Sequence, residues 1–183
     1  MRLLLIVGLV FGTVGNTAGQ TTSAKQGELS AVEQQGNTLK LSVVATKQRV
    51  RRTDKLELLV MLSNPGKKDL FVFGTMNWGY SAGLLFHIRD ASGKALHPLG
   101  FPDDQPRLSQ GDDSAFVRLA PNHFLGTDFF APLDILNMNK PGKYAIFVEY
   151  RSPISSVDVE LKPFFSKENG SIKSNVVWIE VVR

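Results

Sequence analysis

Asn139-Lys140-Pro141-Gly142-Lys143-Tyr144-Ala145-Ile146-Phe147-Val148-Glu149-Tyr150 decides the fold. A Pro-Gly turn launches a stretch in which Tyr144, Ile146, Val148 and Tyr150 alternate with Lys143 and Glu149. Successive residues of an extended chain point to opposite faces, so this period of two describes a strand with one buried face. The same alternation occurs at Leu39, Leu41 and Val43, at Leu56, Leu58, Val60 and Leu62, and at Leu84, Phe86 and Ile88. It returns at Ala115, Val117 and Leu119, and at Val177, Ile179 and Val181 over a strand spanning 175–182. His123 to Phe130 reads as a further strand, and Leu70 to Phe73 as a short one. Asn64-Pro65-Gly66 and Asp90-Ala91-Ser92-Gly93 supply turns, the latter sending the chain back through Lys94 to His97 as a hairpin. No window of helical length carries a 3.6-residue period; Leu133 to Met138 could make one helical turn at most. About eight or nine short strands with regular turn signals describe an all-β sandwich or barrel.

The 183-residue chain is long enough for one domain with a real core. Its first part reads as an export signal over residues 1–19. Arg2 supplies the charge, Leu3 to Phe11 the apolar run, and Gly12 to Gly19 the small and polar residues. That run is too short to span a bilayer, and no later stretch is long and apolar enough to do so. Thr17 and Gly19 precede one candidate cut at Gln20; Thr22 and Ala24 precede another at Lys25. Residues 20–37, rich in Thr, Ser, Gln and Gly, read as a flexible lead-in to a domain at 38–183. Secreted or periplasmic localisation follows as an expectation, with no stable membrane insertion after cleavage.

Cysteine is absent, which excludes a lipobox, thiol catalysis and a cysteine zinc site. The formal charge of +4 is small and scattered. Its one cluster, Lys47, Arg49, Arg51, Arg52 and Lys55, lies between strand patterns and reads as a solvated loop. No aromatic interleaving supports nucleic-acid binding.

The turn into Gly142-Lys143-Tyr144 resembles the entry to a late strand of immunoglobulin-like domains, where a tyrosine hydroxyl ties the corner to upstream backbone. Leu62-Ser63-Asn64, Leu70-Phe71-Val72, Ile88-Arg89-Asp90 with Gly93, Leu119-Ala120-Pro121 and Lys140 to Tyr144 together are similar to bacterial single-sandwich proteins, including the bacterial intracellular proteinase inhibitor family. The expected fold is therefore a single antiparallel immunoglobulin-like β-sandwich. The resemblance implies proteinase inhibition, but no reactive-site residue can be matched.

No catalytic constellation emerges. The chain lacks a Gly-x-Ser-x-Gly elbow and a phosphate-cradling glycine loop. His87 and His97 can meet across the Asp90–Gly93 turn, but neither they nor His123 gather a full ligand set. Asp103-Asp104 and Asp112-Asp113 lack the alternating pattern of a calcium loop. No metal and no cofactor are expected. The candidate binding residues are Asn77, Trp78 and Tyr80, on a loop flanked by Gly74 and Gly83, and Phe164 and Phe165, which cannot both face inward in an extended segment. Trp78 either stands in water as a contact residue or folds inward as a plug. The expected role is a non-catalytic module binding a protein or carbohydrate ligand at the cell envelope; the alternative is a secreted inhibitor presenting a loop to a protease cleft. Mass spectrometry of protein from the native exported fraction should find an N-terminus between Gln20 and Lys25; an intact Met1 would contradict the signal reading.

Overall fold

The computed structural model describes residues 39–79, 83–99 and 113–183. The expected signal segment, the lead-in, Tyr80 and most of the acidic loop lie outside them. Eleven strands are present among the described residues: β1 (Lys40–Ala45), β2 (Arg49–Arg51), β3 (Lys55–Ser63), β4 (Leu70–Phe73), β5 (Leu84–Arg89), β6 (Ala95–Leu96), β7 (Phe116–Leu119), β8 (Phe124–Pro132), β9 (Gly142–Arg151), β10 (Ser171–Lys173) and β11 (Val177–Val182). They form a three-stranded sheet ordered β1-β3-β8, a larger sheet ordered β2-β11-β9-β5-β6 with β10 also on β9, and the ribbon β4-β7. Every strand pair is antiparallel except β2 with β11, which is parallel.

The alternation read from the sequence is the burial pattern. Leu58, Val60, Leu62, Ile146, Val148, Tyr150 and Ile179 are fully buried. Together with Leu41, Val43, Phe86 and Phe129 they belong to one apolar cluster fed by both larger sheets. A smaller cluster of Phe73, Ile154 and Val159 lies under the β4–β7 ribbon, with Phe116 and Phe164 packed against it.

Two turns show why their residues are there. Asp90 Oδ1 accepts from the backbone N–H groups of Ser92 and Lys94 at 2.9 and 3.1 Å, and Gly93 takes φ +82° to close the hairpin. At the start of β9 the Tyr144 hydroxyl donates to the Lys140 carbonyl at 2.7 Å, so the corner expected from the sequence is present.

The structure corrects the basic cluster. Arg49–Arg51 is a strand, not a solvated loop: Val50 is buried in the core between two outward arginines, and Glu180 N–H donates to Gln48 O while Arg52 N–H donates to Val182 O. A single apolar residue between charges is too short a signal to read as a period, but charged flanks suit a sheet edge.

β10 and β11 run along the same side of β9 with a change of register. Lys173 faces Glu149 and Val177 faces Ile146, so two residues of β9 oppose three of the other chain. This is a β-bulge. Ser174 Oγ accepts from Val148 N–H at 2.9 Å, replacing a ladder acceptor. The next side chain, Asn175, reaches the three-stranded sheet: its Oδ1 accepts from Val43 N–H and its Nδ2 donates to Val43 O, both at 2.9 Å. One amide thus pairs both outer peptide groups of a buried β1 residue.

Asn175→Ala should destabilise the chain by about 2 kcal/mol, because Val43 loses both partners at once. Tyr144→Phe, which loses one bond, should cost about 1 kcal/mol. Denaturant melts check the order: equal, near-zero losses would contradict both roles.

Candidate functional site

The segment carrying Trp78 lies along the outer edge of β5. Leu84 N–H donates to Asn77 O and Gly79 N–H donates to Leu84 O, each at 3.0 Å, so the backbone of the segment is fastened at one residue of β5. Further along, Ile88 is paired with Leu96 of β6. β6 stops there; Pro98 has no N–H to continue the ladder, and Leu99 N–H turns to the Ile135 carbonyl instead. Phe86 lies between these two attachments. The interval is a recess of about 170 Å³ whose lining includes Trp78, Phe86, His87, Arg89, Leu96 and His97.

Trp78 is half-buried, neither wholly in water nor wholly enclosed. Its ring meets Phe129 edge-on at 4.1 Å and Phe86 at 5.6 Å, while Phe86 and Phe129 stack at 4.3 Å. The ring therefore covers the seam between β5 and β8, and its remaining surface lines the recess. Asn77 is exposed, and its backbone carbonyl holds the segment in place. Tyr80 lies outside the described residues.

Phe164 and Phe165 divide as adjacent extended residues must. Phe165 is core, 2% exposed and 5.7 Å from the Tyr150 ring, which removes it from any ligand's reach and corrects the expectation of a binding residue. Phe164 is half-buried against Phe116, with ring centroids 5.1 Å apart. Their backbone covers β4: Phe71 N–H donates to Pro163 O and Phe165 N–H donates to Phe71 O. The pair protects an edge.

His87 and His97 both line the recess. His87 stacks flat on Phe147 at 4.5 Å, and its Nε2 is 3.1 Å from Glu149 Oε2. Burial pushes the Glu149 carboxyl up, but hydrogen bonds from the Ser171 hydroxyl and His87 outweigh it and hold it below the ordinary carboxylate range. Among the described residues, no three His, Asp or Glu converge as metal ligands. Among the described residues the lining contains no Ser, Thr, Cys or Lys, and the Ser171 hydroxyl, which bonds the Glu149 carboxylate, does not line the recess. What the recess offers is an aromatic wall with imidazole and guanidinium groups on the opposite side. Sequence reasoning saw His87 as a neighbour of His97 across the Asp90–Gly93 turn; its flat contact with Phe147 depends on the β5–β9 register, which no local signal carries.

No family model matches this chain, and no curated protein matches it. Among solved structures it is similar to the CARDB domain of a Pyrococcus furiosus protein in complex with di-metal ions, at 13% identity over 79% of this chain and 92% of that one, with a TM-score of 0.38. It is also similar to the sporulation control protein of Bacillus subtilis, at 11% identity over 79% of this chain and 49% of that one, TM-score 0.39. A β-glucosidase from Erythrobacter marinus overlaps at 15% identity over 79% of this chain, TM-score 0.37, and this chain covers only 15% of it. None of these overlaps assigns a family or an activity.

A carboxylate held below its ordinary range contributes stability that is complete above that range and is lost as pH falls through the folded value. Glu149 should therefore steepen acid unfolding below about pH 4.5. Glu149→Gln should flatten that limb in melts between pH 6 and 2; an unchanged acid limb would contradict the pairing.

Proposed function

We propose that residues 38–183 form a single immunoglobulin-like β-sandwich, that the chain is exported, and that it serves as a non-catalytic binding module at the cell envelope or outside the cell. The sandwich reading is supported by the single apolar cluster to which the β1-β3-β8 sheet and the larger sheet both contribute, and by the Tyr144 corner. The binding reading is carried by one observation: Trp78 leaves part of its ring on a recess faced by His87, Arg89 and His97.

At about 170 Å³ the recess is smaller than the roughly 300–1,000 Å³ of sites that enclose a drug-sized ligand or cofactor. It fits one ring or one side chain of a larger partner, protein or carbohydrate, with the rest of the contact made outside. Half-buried tryptophans are frequent anchors in such contacts because a rigid, amphipathic ring loses little entropy on binding.

Trp78→Ala should lower stability by about 2 kcal/mol, less than the loss expected for a fully buried ring, because part of the Phe86–Phe129 contact is lost. It should also weaken binding at least about tenfold for any hit from glycan-array and peptide-array screens of the full chain. Phe165→Leu, a core change, should lower stability and leave that binding intact. Hits bound equally by wild type and Trp78→Ala would overturn the recess as the site. Stoichiometric inhibition in a protease panel would overturn the non-inhibitor reading.

A further inference from the structure

The outward face of the larger sheet carries a second surface. Trp178 on β11 is 59% exposed and faces Ala145 of β9, a side chain too small to cover it. Val176, two residues before Trp178 in the chain, is 49% exposed, and Phe147 lies two residues from Ala145 on the same face of β9. Phe147 itself is capped by the stacked His87 ring, so Trp178 presents the open aromatic face of this group. Continuing across the sheet, Ala145 faces Arg89, which faces Ala95. Trp178 and Arg89 therefore lie two strand spacings apart, about 10 Å.

The same face is positively charged. Its outward positions hold Arg49, Arg51, Arg89, Lys143, Arg151 and Lys173, against two carboxylates, Glu149 and Glu180. Both carboxylates are engaged, Glu149 with His87 and Glu180 with Arg49 at 3.6 Å. No ion pair ties Arg89 or Lys143 to a carboxylate of the described residues. Lys143 sits diagonally beside Trp178, across from Glu180.

We infer that this face binds an acidic polysaccharide, with a sugar ring on Trp178 and its anionic groups on Lys143 and Arg89. A sheet face with one open ring and flanking cations suits an extended, charged chain of saturated rings. A single-stranded nucleic acid calls for several open rings in succession, and here the second ring is already capped. The surface shares His87 and Arg89 with the recess beside Trp78, so it adjoins the proposed binding site, but it does not depend on Trp78.

Polygalacturonate is the probe for the full chain, with its fully methyl-esterified form as the uncharged match and oligothymidylate as the nucleic-acid comparison. Affinity electrophoresis should show retardation by polygalacturonate that weakens with salt and is at least about tenfold weaker with the ester. Trp178→Ala should reduce binding at least about tenfold with an unchanged circular dichroism spectrum, since the ring is exposed. Arg89→Gln and Lys143→Gln should each reduce it several-fold. In a Trp78→Phe background, polygalacturonate should shift Trp178 emission to shorter wavelength. Retardation unaffected by Trp178→Ala would overturn the proposal, as would tighter binding of oligothymidylate or no binding of polygalacturonate. Conversion of a dimer to a monomer by Trp178→Ala would assign the face to self-association and overturn it. Binding lost in Trp78→Ala but kept in Trp178→Ala would place the ligand in the recess, overturning this surface and leaving the recess reading intact.

Discussion

The pairing of the Asn175 side chain with Val43 holds the architecture to one solution. Val43 is buried, and its N–H and C=O point away from β3, to the Asn175 side chain. An amide side chain can act as donor and acceptor together, so one residue suffices. It reaches β1 only because the bulge after Lys173 turns the chain there. The bulge in turn sets the phase of everything after it. Ile172 faces inward before it and Val177 faces inward after it, an odd spacing that continuous alternation forbids. Without the extra residue, Ile179 and Val181 would point outward and Trp178 would be driven into the core. The outward tryptophan and the stitched sheets are thus consequences of one insertion.

Much of the fold was legible because burial in β3, β5, β9 and β11 follows a period of two that each segment carries by itself. The Asp90 turn and the Tyr144 corner were legible for a similar reason: their chemistry is complete within five residues. What could not be read is what depends on pairing. Asn175 looked like the first residue of a strand, because nothing local distinguishes an amide that continues a ladder from one that leaves it. Arg49–Arg51 looked like solvent-exposed loop, because its one apolar residue acquires meaning only beside β11. Asn64, 2% exposed, looked like turn chemistry. It is that, accepting from Gly66 N–H, but it also donates to Leu119 O on β7.

The candidate site divides along the same line. Trp78 stood out as a large aromatic among glycines, and the loop proved to be fastened to β5. Its floor was invisible: Phe86 and Phe129 come from different sheets and meet only in the folded chain. The two-way choice between a ring in water and a plug dissolved because the ring packs on Phe86 and Phe129 and still lines the recess. Phe164 and Phe165 show the opposite case. Simple alternation said that only one could be inside, and Phe165 is the one.

The place of β11 has a consequence for how the chain is made. The larger sheet is not assembled in chain order: the strand between β2 and β9 is β11, the last of the described strands in sequence. Until residues 175–182 emerge, β2 has no neighbour, β9 lacks half of one side, and Val43 has no Asn175 nearby in time. Loop closure over 132 residues is required to bring that last pair together. A chain emerging N-terminus first therefore cannot complete its hydrogen-bonded sheet until β11 has been made, and folding of the sheet is deferred to that point. Such a topology keeps a nascent chain loose and threadable until β11 has been made, whichever side of a membrane it finishes on.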